Sequence, residues 1–333
     1  MNTNPTPSVA REDLRPLTVE DVVALGNQAA DHDGDPPFSD QTLVQLRSAP
    51  ETVTLIGARS ATPVDDDALV GAAVVIHGSA GAGEADETGP TDESAAHRGQ
   101  PAVLEAVVAP EHRGAGVGRA LIEAALSTSA VKDTAVDAWA HGDHAAARSL
   151  ADSLGFTPVR ELHRLLMPLD GVREELDATL PEGLALRAFE VGRDEEAWLR
   201  VNAAAFARHP EQGRMTLEDL RARESEDWFD PQGFLLAHPV DDPDTIAGFH
   251  WTKVHPATST EPARGEVHVV GTAPDQQGRG LGKALTVAGL HHLAAQGLDE
   301  VLLYVDAENT VAFNLYRALG FQPWHVDVMF SRS

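Results

Sequence analysis

Cysteine is absent from this 333-residue chain. Its absence excludes disulfides, thiolate metal sites, iron–sulfur clusters and any acyl-cysteine intermediate. Basic residues are scarce: 25 Lys and Arg stand against 52 Asp and Glu, a formal charge of −27. Coating nucleic acid or an anionic membrane demands clustered cations, so neither partner is expected. No apolar run approaches the roughly 20 residues of a membrane span. The opening residues, Met1 to Leu14, lack a basic stretch followed by an apolar one. No secretory leader is therefore expected, and the expected compartment is the cytoplasm. Hydrophobic residues make up 42%, which is ordinary for a folded protein. At roughly 100–200 residues per domain, the length favours two domains.

What the sequence does have is a copy of itself. Ala106 to Leu121 reads AVVAPEHRGAGVGRAL, and Val270 to Leu285 reads VGTAPDQQGRGLGKAL, an offset of 164. A second landmark, His141 to Phe156, returns as Asp306 to Phe321 at an offset of 165. Two landmarks at nearly one spacing indicate a duplicated domain, since solenoid repeats are only about 20–50 residues long. The expected layout is a first domain over 1–168, a linker over 169–182 rich in charge, Gly and Pro, and a second domain over 183–333. Residues 79–100, rich in Gly, Ala and acids, read as a disordered insertion without a chemical role.

Both copies have the same element order. An apolar strand (103–108; 267–270) meets a Gly-rich turn that opens an Ala/Leu helix (118–126; 282–295). A short strand (134–138; 300–305) and a second helix (143–154; 309–319) follow. That helix stops at Gly155 or Gly320, a common helix stop, and a closing strand follows Phe156 or Phe321. The class is α/β (α+β): two tandem domains, each a central mixed β-sheet flanked by helices.

The turns are Arg113-Gly114-Ala115-Gly116-Val117-Gly118 and Gln277-Gly278-Arg279-Gly280-Leu281-Gly282-Lys283. Glycine lets backbone N–H groups approach a ligand, and the helix N-terminus adds free N–H groups and partial positive charge, a setting that suits phosphate. Neither a dinucleotide fingerprint nor a nucleotide-hydrolysing Gly-Lys-Ser/Thr loop fits. A tight turn with no ligand is the other reading of one copy; recurrence weakens it. Arg113, Arg119, Arg279 and Lys283 supply local positive charge. His209-Pro210-Glu211 lacks metal-ligand spacing, and the adjacent His291 and His292 point to different sides of a helix. No metal is expected.

The order strand, Pro-x-x-Arg/Gln-x-x-Gly-x-Gly, helix, strand, then Asn…Tyr-x-x-Leu-Gly-Phe resembles the GCN5-related N-acetyltransferases (GNAT), twice over. The resemblance implies acetyl-CoA as co-substrate, with its pyrophosphate on the glycine turns. The pantetheine arm would then lie along Ala106, Val107 and Val108, or Val270, Gly271 and Thr272. Asn309-Thr310-Val311-Ala312-Phe313-Asn314 would open the CoA-facing helix. Three further runs, Gly248 to Lys253, His209 to Gly213 and Gly265 to Gly271, resemble a tandem branch of the family. Its acceptor is the cysteinyl amine of a cysteine–glucosamine–inositol thiol. On that resemblance Asp40, Glu211, Lys253, Glu266 and Tyr304 would contact the acceptor, and the chain is expected to act as a monomer.

Acetyl transfer needs a neutral amine, a group to take its proton and a donor for the departing thiolate. Tyr316 matches the family's acid and Glu266 is a candidate base or anchor. Their counterparts in the first copy are Ala151 and Ala102, and His144 stands where Asn309 does, so the second copy is expected to be the catalytic one. Other readings stay open: Tyr316 as a packed aromatic, Glu266 as a solvated strand end, Asp40 as the acid of a helix start. Another amine acceptor (an aminoglycoside, a polyamine, a protein N-terminus) and a non-catalytic acyl-CoA sensor are the alternative functions.

Overall fold

The computed structural model describes residues 17–60, 68–78, 101–129, 131, 134–207, 212–257 and 262–333. The insertion expected at 79–100 lies outside them, as do His209, Pro210 and Glu211. In chain order the elements are α1 (Val19–Asp33), α2 (Asp40–Ser48), β1 (Val53–Arg59), β2 (Leu69–Ile76), β3 (Ala102–Val108), α3 (Val117–Leu126), β4 (Val136–Ala140), α4 (Ala145–Ser153) and β5 (Thr157–Pro168). There follow α5 (Val172–Glu175), β6 (Leu184–Ala188), α6 (Glu195–Ala205), α7 (Leu217–Glu224), β7 (Phe234–Pro239), β8 (Gly248–His255), β9 (Arg264–Thr272), α8 (Leu281–Ala295), β10 (Glu300–Asp306), α9 (Thr310–Leu319) and β11 (Gln322–Arg332). Among the described residues, no helix is long and apolar enough to cross a membrane.

These elements form two units whose boundaries differ from those expected. The first unit holds residues up to Glu161 together with Val326–Ser333; the second runs from Leu162 to His325. The expected boundaries at 168 and 183 are thus corrected, and the reason lies in strand pairing. In the second unit, Leu162 to Pro168 of β5 pair antiparallel with β10, from Leu162 opposite Asp306 to Pro168 opposite Glu300. In the first unit, Val328 to Arg332 of β11 pair antiparallel with β4. Each closing strand therefore completes the sheet of the unit built from the other repeat. The expected linker is also not a tether: Leu169 and Val172 are buried in the second unit's core.

The first sheet runs β1-β2-β3-β4-β11. β2 serves both faces, alternating from Gly71 on, with a register shift at Val70. Val70, Ala73 and Val75 join the core under α3, whereas Ala72 and Val74 pack beneath α1 and α2. In the second unit the sheet order is β5-β10-β9-β8-β7-β6. One face lies on α8 through Val287, Leu290 and Leu293. The opposite face is aromatic: Phe234 stacks between Phe189 at 4.4 Å and Trp251 at 4.5 Å, and Trp198 meets Phe234, Phe249 and Trp251 edge-on. Offset and edge-to-face rings of this kind add stability beyond their buried area. On the α8 side, His250 is fully buried and its Nδ1 bonds the Leu285 carbonyl at 2.8 Å. Burial pushes its pKa down to about 4, so the ring is neutral. The helix passes over it at Gly289, where a Cβ would stand 2.0 Å from the imidazole.

A charged cluster fastens β11 into the first unit. His141, the residue after β4, lies 3.3 Å from Asp327 and 3.4 Å from Glu105, both buried carboxylates. Gly142 donates its N–H to Asp327, and Ser39 donates its N–H to Glu105. Burial alone would drive the proton off His141; Asp327 and Glu105 outweigh it and raise the pKa to about 9. The folded value thus lies above the ordinary 6.5. The resulting stability is complete below about 6.5 and lost as pH rises through about 9. We expect urea stability to fall between pH 6.5 and 9.5 by on the order of 3 kcal/mol, and His141→Asn to flatten that slope; equal slopes in both proteins would refute the assignment.

Candidate active site

The second unit's glycine turn joins β9 to α8. Gly278 and Gly280 have φ of +75° and +85°, and a Cβ on either would find nothing within 4 Å. Left-handed backbone of this kind strains any residue with a side chain. Gly280 is the N-cap of α8 and supplies no side chain to cap it. The leading N–H groups of Leu281, Gly282 and Lys283 are thereby left to bind an anion, and the space in front of them is open. Arg279 is held at the side of the turn by the Gln276 side chain and the Glu182 carbonyl.

The preceding strand also has room. β9 and β10 run parallel but pair only at Gly265, Glu266 and Val267, opposite Val301, Leu302 and Leu303. From His268 onward the two strands part. β8 continues to pair with the opposite edge of β9 as far as Thr272. Val270, Gly271 and Thr272 therefore keep one edge without a β10 partner, the geometry an extended ligand arm would use as an added strand.

At the parting point lies a knot of charge. Glu266 is 3% exposed, so the solvated-strand-end reading does not hold. Its Oε2 is 2.6 Å from His255 Nε2 and its Oε1 is 2.9 Å from His268 Nδ1. Burial would raise its pKa, but the charges and hydrogen bonds of His268 and His255 hold the carboxyl well below the usual carboxylate range. Lys253 is the register partner of Glu266 on β8, is also buried, and sets its ammonium 4.9 Å from the Trp228 ring centre. The structure thus brings together Glu266 and Lys253, as expected, and adds His255, His268 and Trp228, which sequence reasoning did not select. The signal was available in part: Glu266 and His268, two apart on β9, share a face by alternation, whereas His255 joins them only through the pairing of β8 with β9.

Tyr316 is half-buried on α9, edge-on to Phe321 at 5.8 Å. Burial pushes its phenol up to about 12, so at neutral pH it is a proton donor and not a base. Tyr304 is on β10, one residue past the last β9 pair. Asn309 caps α9, its side-chain oxygen accepting from the Ala312 N–H at 3.1 Å. The N-terminal residues Thr310 and Val311 are exposed. Ala312 and Phe313 pack instead against the second unit's core. Asp40 is the first residue of α2, with Ser39 as N-cap, so the helix-start reading describes its position. Glu211 lies outside the described residues. His291 bonds the Leu176 carbonyl and His292 meets Asp230, which are packing roles.

The first unit keeps the turn and the parted strand edge, with β3 pairing to β4 only from Ala102 to Leu104. Gly114 and Gly116 also have positive φ with open space around them. Here, however, Arg113 is spoken for: Asp33 takes its guanidinium at 2.7 and 2.6 Å, and its Nε donates to the Val108 carbonyl at 3.0 Å. A ligand at this turn would meet a carboxylate beside the basic residue and a side chain on the β3 edge. Ala102 is buried core, Ala151 packs against that core, and His144 caps α4 without a side-chain bond.

Comparison with known proteins agrees with this geometry. The acetyltransferase (GNAT) family matches twice, over residues 33–156 and 198–321. The chain is 50% identical over 312 residues to the mycothiol acetyltransferase of Kocuria rhizophila, covering 93% of this chain and 95% of that one. It is 48% identical to the mycothiol acetyltransferase of Renibacterium salmoninarum, covering 94% and 87%. Among solved structures, a GCN5-related N-acetyltransferase from Sphaerobacter thermophilus shares the fold at a TM-score of 0.64 and 23% identity, covering 95% and 91%. A tandem GNAT protein from the clavulanic acid biosynthesis pathway does so at 0.65 and 18% identity, covering 95% and 94%.

Gly280→Ala places a Cβ on left-handed backbone at the mouth of the α8 N–H cluster. Calorimetry should then show acetyl-CoA binding weakened by roughly tenfold or more. Gly297→Ala, at φ +79° beyond the other end of α8 and with equal open space, should strain the chain similarly and leave the affinity unchanged. Equal affinity in both variants would remove the turn from the binding site.

Proposed function

This chain belongs to the acetyltransferase (GNAT) family, and from that membership we propose that it acetylates the cysteinyl amine of desacetylmycothiol, a cysteine–glucosamine–inositol conjugate, in its second unit. Its relatives at 50% and 48% identity carry the name mycothiol acetyltransferase over nearly their whole length. The observation that carries the choice of unit is a difference between the two repeats. Both have an uncapped glycine turn and a parted strand edge, but among the described residues the first has Arg113 donating to the Val108 carbonyl on its edge, whereas the second has the buried Glu266 with His255 and His268 where its edge opens.

Acetyl-CoA supplies the thioester. Leu281, Gly282 and Lys283 bind its pyrophosphate by backbone N–H, and Lys283 adds a cation against the acidic field of the chain. Val270, Gly271 and Thr272 hold the pantetheine arm along the β9 edge. With both nucleophile and thioester bound, much of the barrier is met by positioning alone. Glu266 stays ionised and attracts the substrate ammonium; its depressed pKa suits an anchor better than a base. Lys253 and Tyr304 offer donors to the sugar and inositol hydroxyls. Tyr316, kept protonated by burial, gives its proton to the departing sulfur. There is no cysteine to carry an acyl group, so attack is direct.

Tyr316→Phe should lower kcat by roughly 10²-fold and leave acetyl-CoA affinity within about twofold of the parent, measured by CoA release and calorimetry. An unchanged kcat would remove Tyr316 from the chemistry. Acetyl transfer is to be compared across cysteine–glucosamine–inositol, aminoglycosides, polyamines and peptide N-termini. Preference for any other amine would overturn the acceptor named here.

A further inference from the structure

A fixed carboxylate with both oxygens engaged is a poor resting place for a proton. Glu266 has His255 on Oε2 and His268 on Oε1. The amine must still lose a proton before its lone pair can attack. Of the groups gathered at this point, His268 has the attributes such a step demands.

It lies at a local irregularity. Along β8 and β9, Trp251 pairs with Val269, yet Thr252 pairs with Val267. His268 is the extra residue, a β-bulge. The matching strands of the first unit, β2 and β3, pair without any shift from Gly71 opposite Val108 to Ile76 opposite Val103. His268, two residues past Glu266, shares its face by strand alternation, and it stands at the first position where β9 and β10 have parted. As the extra residue it has no counterpart in the first unit: Leu104 there matches Val267, each being the last residue of its strand that pairs with the parallel neighbour. The first unit therefore lacks this imidazole together with the counterparts of Glu266 and Tyr316.

Its orientation is fixed too. Nδ1 bears the hydrogen that it donates to Glu266, so in the neutral ring the lone pair is on Nε2. No described residue hydrogen-bonds that Nε2. Trp228 at 5.2 Å and Trp251 at 5.4 Å flank the ring edge-to-face and restrict its rotation. A carboxylate that orients an imidazole and stabilises its protonated form is the arrangement nucleophilic enzymes use for general bases. His255 differs: its Nε2 is itself used on Glu266, and it sits at the far end of β8 opposite Arg264.

We propose that His268, held by Glu266, is the group that takes the proton from the acceptor ammonium in this chain. This rests on the reading that the second unit is catalytic. Nε2 accepts one proton and leaves a neutral amine with its lone pair. The nitrogen bonds to the thioester carbon, and the C–S bond breaks with its electron pair on sulfur. Sulfur takes the Tyr316 hydroxyl proton, and a second nitrogen proton restores that hydroxyl. The third stays in the amide, and His268 passes its proton to water.

The test uses the full chain with whichever amine the wild-type enzyme acetylates. A wrong acceptor then shows in the wild-type control, and a wrong base only in the variants. His268→Asn keeps an N–H for Glu266 and loses the ring lone pair. It should lower kcat by roughly 10²-fold with acetyl-CoA affinity and thermal midpoint retained. His268→Ala should be equally slow and should regain activity at least severalfold when imidazole is added to the assay. Wild-type kcat in the Asn variant would reduce His268 to a support for Glu266 and overturn the proposal, as would an Ala variant that binds acetyl-CoA normally and does not respond to imidazole.

Discussion

Two neighbouring parallel strands pair for three residues and then separate. This short pairing is the constraint from which the rest of each unit follows. In the second unit β9 and β10 part after Val267 and Leu303, and in the first β3 and β4 part after Leu104 and Ala138. A strand edge inside a sheet is ordinarily satisfied by its neighbour, because unpaired backbone N–H and C=O groups are costly when buried. Parting the strands leaves such groups in need of a partner and makes a slot for an extended molecule. The glycine turn lies at the end of the same strand, so a ligand arm along the edge runs directly to the helix N-terminus.

Duplication supplied this frame twice, and the two copies have been filled differently. In the second, buried charge concentrates on one face of β8 and β9: an anion between two imidazoles, with a cation over an indole. Burying ions singly would cost several kcal/mol each; here they are grouped so that each has a partner. In the first, the buried charge serves the fold, with His141 held between Glu105 and Asp327. Arg113, at the position of the neutral Gln277, is paired with Asp33. The same scaffold thus gathers its buried polar residues at the parted strand edge in one copy and uses them to hold a strand in the other.

Much of this could be read in the sequence. Landmarks offset by 164 and 165 gave the duplication, and the glycine turns, their helices and the flanking strands lie within a few residues of where periodicity put them. Tyr316 was visible because its counterpart is Ala151; Glu266 was set against Ala102 at the 164 offset, but the strand pairing matches it to Val103, because the bulge at His268 shifts the register by one. The strand exchange was not legible, since both closing strands follow the same Leu-Gly-Phe and similarity reveals the kind of element, not its partner. His268 was missed for a related reason. Its shared face with Glu266 follows from alternation, but that β9 parts from β10 at this residue shows only in the pairing of the strands. The expectation of a tether at 169–182 failed because Leu169 and Val172 are too apolar to remain in water once β5 delivers them to the second core.

The exchange of closing strands has a consequence for how the molecule is made. A ribosome releases the chain from the N-terminus, so nearly all of the first unit emerges long before β11 does. Until residue 332 leaves the tunnel, β4 has no β11 beside it, and its edge is open to wrong partners. The second unit, whose β5 is made before its own strands, can close its sheet as soon as β10 appears. The repeat that comes later in the gene is therefore the one able to finish first, and the earlier repeat must wait for β11.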